Sequence, residues 1–323
     1  MYTFYITTDG KIERDGNTLS FVGVDSKKHI PGRNISEIVI SAKVSLSSWA
    51  IDYLARSSIV VHILGEDGRY LSSILPHMSH QIGINLILQS SAYLDLKKRL
   101  SIASEMVQGI RYNIIRNLRY YSSRIDLYRE IETISSMKIA GDTVETLLGF
   151  EGNIWKAYYS CFPKFLRDIK AFKRTFHPPG DSINAMISYG NSLLYSSTLS
   201  AIYQSGLNPS ISFLHEPSDR SFSLALDIAD VFKPVIVERI VANLVNNRIM
   251  KDDDFQPRDG GVYLTQNGRR KFTEYYRDKL ETTIKSNTSE RTLTYQGHIL
   301  QECRNILSHI RGEKNYRSFR SQD

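Results

Sequence analysis

The hydrophobic period of the chain changes once, near His77–Gly83, and this change restricts the fold more than any other feature. Before it, apolar residues fall in short runs: YTFYIT, TLSFVGV, SEIVIS, IVVHIL and YLSSIL. The runs are β-branched or aromatic and are parted by DG, NT, PG and EDG turn signals, which is the pattern of short strands. One helix, over SSWAIDYLAR near Ser47–Arg56, is expected to interrupt them before the strand Ile59–Leu64. After the change, apolar residues recur every three or four positions, as in Leu100, Met106, Val107, Ile110, Ile114, Ile115 and Leu118. Further helices are expected at about 125–139, 142–170, 181–205, 221–249, 265–286 and 291–312. HPPGD at 177–181, NPS at 208–210 and DDDFQPRDGG at 252–261 break them. The expected architecture is α+β, with a small N-terminal β-sheet domain over 1–82 and a larger all-α-helical domain over 83–323 that carries the candidate chemistry.

With 323 residues and 41% apolar content, such a chain can bury a substantial core. A formal charge of +7 favours a polyanionic partner over an acidic one. The two cysteines, Cys161 and Cys303, have neither zinc-site nor disulfide-framework spacing, which suits a reducing compartment. No signal peptide is apparent, and no run approaches the roughly 18 apolar residues of a membrane span. A cytoplasmic protein without membrane contact is the expectation.

The stretch NPSISFLHEPSDRSFSLALDIADVFKP poses the main chemical question. Asp227 and Asp230 sit three apart (230 − 227) beside Leu224, Ile228 and Val231, so a helix there puts carboxylates on a core-facing side. Burying an unpartnered carboxylate costs several kcal/mol or more. An arginine, a set of backbone N–H groups or a metal ion could each supply the compensation. His215 precedes the two aspartates by twelve and fifteen positions (227 − 215, 230 − 215). The Pro234 ring clashes with the carbonyl four residues back, that of Asp230, so the turn bearing Asp230 should be distorted. Glu151, in TLLGFEGNIWKAYY, stands between Gly149 and Gly152. Glycines inside a helix cost about 1 kcal/mol each against alanine. Their presence reads either as the close approach of another helix or ligand backbone, or as packing beside an exposed glutamate. Glu, His and Asp together would suit Mg²⁺ or Mn²⁺ better than a closed zinc site. A structural salt-bridge network is the competing reading.

Basic residues gather at Arg167, Lys170, Lys173, Arg174 and His177, at Arg111, Arg116, Arg119 and Arg124 among Tyr112, Tyr120 and Tyr121, and at Arg269, Arg270 and Lys271. Each cluster could neutralise phosphates, with tyrosines stacking on bases, or could be a solvated helix face.

Taken in order, GFEGNIWKAYY, HPPGDSINAMISYGNSLLYS and GLNPSISFLHEPSDRSFSLALDIADVFKP resemble the CRISPR-associated adaptation integrase, a metal-dependent endonuclease and the first-numbered Cas protein. NTLSF, IPGRNISEIVIS and LSSWAIDYLARSSIVVHILGEDGRY are similar to that family's β domain, so the resemblance spans nearly the whole chain. Asn208 and Ser212 depart from the family's usual aspartate and glycine, which affects local loop geometry only. The resemblance implies Glu151, His215 and Asp230 as metal ligands for Mg²⁺ or Mn²⁺, with Asp227 a further catalytic acid. It implies Tyr195 near the active site. Together with the basic cluster, this makes Lys173, Arg174, His177 and Tyr195 the candidate DNA-binding residues. It also implies transesterification of double-stranded spacer precursor into the CRISPR repeat, a homodimer formed through the β domain, and a small ferredoxin-like second adaptation subunit. A non-catalytic DNA-binding or architectural protein, whose acids pair only with Arg and Lys, is the alternative.

Overall fold

Among the described residues the first quarter of the chain forms eight strands and one helix, the five expected strand runs being joined by three strands the sequence reading does not include, over residues 10–15, 27–30 and 44–46. The computed structural model describes residues 2–24, 26–31, 35–76, 83–217, 222–287 and 289–322. In order come β1 (Tyr2–Ile6), β2 (Gly10–Asp15), β3 (Thr18–Gly23), β4 (Lys27–Ile30), β5 (Ile35–Ile40), β6 (Val44–Leu46), α1 (Ser48–Arg56), β7 (Val60–Leu64) and β8 (Tyr70–Ile74). They build two four-stranded sheets, ordered β1-β5-β7-β8 and β4-β3-β2-β6. β1, β5 and β7 run parallel and β8 closes the first sheet antiparallel. Ile6, Ile12, Leu19, Phe21, Ile38, Leu54 and Val61 share one core, to which α1 contributes Ala50 and Leu54. The Ser47 hydroxyl caps α1 by accepting from Ala50 N–H at 3.1 Å.

From residue 83 the chain is mainly helical: α2 (Gly83–Leu94), α3 (Leu96–Ser122), α4 (Tyr128–Ser136), α5 (Val144–Ser160), α6 (Phe162–Phe165), α7 (Ser182–Ser205), α8 (Ser223–Phe232) and α9 (Val237–Asn246). Then come the hairpin β9 (Phe255–Arg258) and β10 (Gly261–Leu264), α10 (Gln266–Glu281), the hairpin β11 (Thr283–Ser286) and β12 (Ser289–Thr294), and α11 (Tyr295–Ile310). The expected N-terminal β-sheet region followed by a helical one is observed, with two small hairpins added to the helical part. Pro163, in the first turn of α6, separates it from α5, so the helix expected to reach residue 170 ends at Phe165. Pro234 divides the helix expected over 221–249 through a 3₁₀ turn at Lys233–Val235.

By packing, the described chain forms two compact units that are discontinuous in sequence. One comprises residues 1–79, 176–196 and 250–277, the other 80–175, 197–249 and 278–323. Segments 176–196 and 250–277, on the helical side of a division at 82/83, therefore pack with the strands. Residue 82, at that division, and Gly32 of the expected PG turn lie outside the described residues. In the second unit the long helix α3 has α2, α4, α5 and α8 packed around it. Among the described residues no helix is long and apolar enough to cross a membrane.

Candidate metal centre

The candidate acids and histidine all lie in the second unit, on α5, on α8 and in the loop before α8. The buried face of α5 is Val144, Leu147, Glu151, Ile154 and Tyr158, so Glu151 occupies a position that spacing assigns to an apolar residue. Burial pushes its carboxyl up to about 7, and the negative Asp230 acts in the same direction. Lys233, His215 and a hydrogen bond from Trp155 pull it back only in part.

Every residue of α8 from Ser223 to Phe232, save the partly buried Leu226, is buried or nearly so, and both aspartates are interior. Asp227 is compensated by backbone. Its Oδ2 accepts from the N–H groups of Phe213 at 2.7 Å and Leu214 at 2.9 Å. Its Oδ1 accepts from His215 N–H at 2.9 Å and meets His215 Nδ1 at 2.8 Å. The Ser212 hydroxyl closes the loop by donating to His215 O at 2.6 Å. Arg99 donates to Phe213 O at 3.0 Å and pairs with Glu216. Burial works against a charged His215 ring, but the Asp227 hydrogen bond and the charges of Asp227, Asp230 and Glu151 outweigh it and raise the ring to about 9.

Among the described residues Asp230 is compensated by neither backbone nor arginine. The Lys233 ammonium, three residues on, touches Oδ1, yet this buried oxygen has no hydrogen-bond partner. The contact is an ion pair without hydrogen-bond alignment. Lys233 ends α8 and the proline turn follows it, in keeping with the distortion expected from Pro234. Beyond the turn, Glu238 on α9 is buried. Its Oε1 accepts from Tyr159 OH at 2.8 Å, and its Oε2 is unpartnered. Burial lifts Glu238 to about 7 against the pull of that bond and of the Arg174 and Lys233 charges.

Among the described residues no three His, Cys, Asp or Glu side chains are arranged to cage an ion as they stand. Glu151, His215 and Asp230 nevertheless lie within each other's electrostatic reach. The donor set, one imidazole and two carboxylates, fits a hard divalent ion. The unpartnered Asp230 Oδ1, with an ammonium against it, is an oxygen for which a cation is the natural partner.

Three comparisons bear on this arrangement. The family described as "CRISPR associated protein Cas1" matches residues 4–278. The CRISPR-associated endonuclease Cas1 of Clostridium perfringens is 35% identical, over 98% of each chain. That of Nanoarchaeum equitans is 36% identical over 99% of each. The chain belongs to the Cas1 family. A solved CAS1 protein from Thermotoga maritima, 31% identical, superposes with a TM-score of 0.86 over 98% of this chain and 99% of that one. A casposase bound to integration product, 24% identical, shares the fold at a TM-score of 0.85, over 98% and 93% of the respective chains.

The remaining sequence candidates of this Cas1-family chain separate by packing. Tyr195 belongs to the first unit, where its ring meets Tyr70 edge-on at 4.9 Å. His177, also there, lines a cavity of about 490 Å³ with Arg69, Arg258 and Tyr263. Lys173 is exposed and Arg174 half-buried. The Arg269 cluster is partly structural, since Arg269 donates to Glu66 O and Leu264 O and Lys271 pairs with the buried Asp254. Tyr121 stacks on Phe165 at 4.5 Å, so it is occupied in packing. Among the described residues a close neighbour over Gly149 and Gly152 is not found: an added Cβ at either would meet nothing within 4 Å. Trp155, Lys233 and Glu238 were not anticipated. Lys233 was the one with a visible signal, at i+3 from Asp230 and next to the helix-ending proline.

These pKa shifts share one sign. Burial lifts Glu151, Glu238 and Glu302 on α11 to about 7 from an ordinary 4.5, so each binds its proton more tightly folded than unfolded. Each therefore costs stability as pH rises from about 4.5 through about 7. His215 contributes fully below about 6.5, and its contribution is lost as pH rises through about 9. In chelator, the Tm should fall steadily from pH 5 to pH 9, and Mn²⁺ at pH 8 should restore part of the loss. A Tm that rises over this range in calorimetry would contradict the upward shift that burial gives these carboxyls.

Proposed function

We propose that this chain is a divalent-metal-dependent DNA endonuclease and integrase of CRISPR adaptation. The reading rests chiefly on one observation. Asp227 holds His215 by Nδ1, which leaves Nε2 as the ligand atom, and the carboxylates of Glu151 and Asp230 are within electrostatic reach of that ring. A carboxylate that fixes a ligating histidine through its other nitrogen is a common arrangement around metals. Glu151, His215 and Asp230 would hold Mg²⁺ or Mn²⁺, with Lys233 giving up its contact to Asp230. The bound ion would supply charge stabilisation at the phosphate and a better oxygen nucleophile. Asp227 is then a positioning residue, because its oxygens are taken by three N–H groups and the imidazole.

In the joining reaction, the 3′-hydroxyl of a double-stranded spacer precursor attacks a phosphodiester of the CRISPR repeat. A new P–O bond forms as the bond to the repeat's own 3′-oxygen breaks, and the proton lost by the nucleophile ends on the leaving oxygen. The partners in this reading are DNA, a second copy of the chain joined through the β region, and a small ferredoxin-like second adaptation subunit. A fold neighbour found in a Cas6-RT-Cas1–Cas2 complex (20% identity, TM-score 0.82, covering 98% of this chain and 36% of that one) supports the compatibility of the fold with such an assembly. The cytoplasm is the compartment this function requires. The architectural alternative is weaker because, among the described residues, Glu151 is buried without an ion pair.

The test is strand joining of a short duplex into a supercoiled, repeat-bearing plasmid, with and without Mn²⁺ and the small subunit. Joined product that requires Mn²⁺ is expected, and its absence under all conditions would overturn the reading. Binding is separable from joining. Lys173→Ala should weaken DNA binding across sequences and lower the salt slope by about one if it contacts a phosphate. Arg174→Ala should do the same, and should also push Glu238 further up by removing a compensating charge. An unchanged slope in a salt titration would remove Lys173 from the DNA interface.

A further inference from the structure

The segment 316–322 has no regular structure of its own, yet its anchoring is dense. Tyr316, Ser318, Phe319 and Ser321 are all buried. Glu302 on α11 receives Tyr316 OH at 2.6 Å, Ser318 Oγ at 2.9 Å and Phe319 N–H at 3.0 Å. Glu105 on α3 pairs with Arg320 at 2.8 Å and Arg317 at 3.3 Å. The segment also bridges to β11 through Ser286 and Ser321. Gly109, inside the 27-residue α3, fits this arrangement: a Cβ there would stand 2.2 Å from Ser318 Oγ and 2.8 Å from its Cβ. A mid-helix glycine costs about 1 kcal/mol against alanine, and here it lets the segment approach.

Two contacts carry this anchoring to α8. Phe319 stacks on Phe232 with ring centres 4.5 Å apart. Asn113, fully buried on α3, donates to Val231 O at 2.8 Å and to Phe319 O at 3.1 Å, while its Oδ1 accepts from Ser321 N–H at 2.9 Å. Val231 and Phe232 directly follow Asp230. Their side chains and carbonyls fix the end of α8, the same turn that Pro234 deprives of its ordinary helical bonds.

We infer that segment 316–322 is a strap that positions Asp230 for its ligand through Asn113 and Phe319. The inference rests on the metal reading given above. Asn113 and Phe319 are positioning residues, remote from the reacting atoms, and they act by holding the last turn of α8 in one place. Groups that orient metal ligands from outside typically change affinity by about tenfold or more when lost.

The experiment measures Mn²⁺ affinity of the full chain by calorimetry, alongside hydrogen exchange of residues 316–322. Gly109→Ala places a methyl where Ser318 lies, should raise exchange across the strap, and should weaken Mn²⁺ binding by about tenfold. Ser318→Gly in the same chain removes both clashing atoms and should restore affinity, which a general loss of stability would not do. Phe319→Leu keeps an apolar plug but loses the stack, and should fall between the two. If Gly109→Ala loosens the strap while Mn²⁺ affinity stays at the wild-type value, the inference is wrong. If the wild-type chain binds no Mn²⁺, the metal reading fails and takes the inference with it, so the two failures are distinguishable.

Discussion

Asp230→Ala should abolish metal-dependent cleavage and strand joining, a loss on the order of 10³-fold or more, while leaving the chain folded and DNA-bound. The expectation follows from how differently the two aspartates of α8 are compensated. Among the described residues Asp230 supports no backbone N–H, and its ion pair is with the ammonium of Lys233. With the carboxylate gone, Lys233 keeps a long apolar stem and a side chain 19% exposed, enough for the ammonium to reach water. Removing a negative charge near phosphate leaves DNA affinity unchanged or slightly raised. Gel assays of joining and fluorescence titrations of binding separate the two properties. Full joining activity of the variant in Mn²⁺ would remove Asp230 from the chemistry and make the architectural reading the better one.

Asp227→Ala should do the opposite: its main effect is on the fold. The Asp227 carboxylate, fully buried, accepts from three consecutive backbone N–H groups and the imidazole. Each buried donor left unpaired costs about 1–3 kcal/mol, so the loss is on the order of 3–5 kcal/mol or more. Asp227→Asn, which keeps one acceptor oxygen and the shape, should lose less. Thermal unfolding should therefore rank the variants as Asp230→Ala above Asp227→Asn above Asp227→Ala. His215 should also lose its raised pKa in the last of these, visible as a ring titration moved downward in NMR. An Asp227→Ala chain as stable as wild type would contradict the anchoring role.

The parts of the fold governed by local sequence were legible. The helix expected at 181–205 is found at Ser182–Ser205, since the HPPGD and NPS breakers bracket a stretch without an internal proline. TLSFVGV, SEIVIS and IVVHIL became β3, β5 and β7 because alternation and β-branching survive burial. The hairpins after α9 were not anticipated: FQPR and GVYL hold few strand formers and read as a breaker, and their pairing is made by the DG turn between them. Nor was the discontinuity of the compact units, because a helix docks by its face and one-dimensional periodicity does not say where. In the site, the positions of Glu151, His215, Asp227 and Asp230 could be read from motif order. The division of labour between the aspartates could not, because Asp227 finds its partners twelve to fourteen residues upstream, in a loop with no periodic pattern.

The Lys233 ammonium gives the cluster of Glu151 and Asp230 a resident countercharge. In the metal reading, loading this site would be an exchange of one cation for another, and not the filling of an anionic hole. The ammonium offsets part of the repulsion between Asp230 and Glu151, whose carboxyl is still held up to about 7. The same exchange sets a threshold, because an ion must offer more than the ammonium does. A divalent charge with several coordination bonds would be expected to clear that threshold where a monovalent ion such as Na⁺ would not. In the metal reading, selection against the abundant cellular monovalents would then come from a single side chain one helical turn from Asp230.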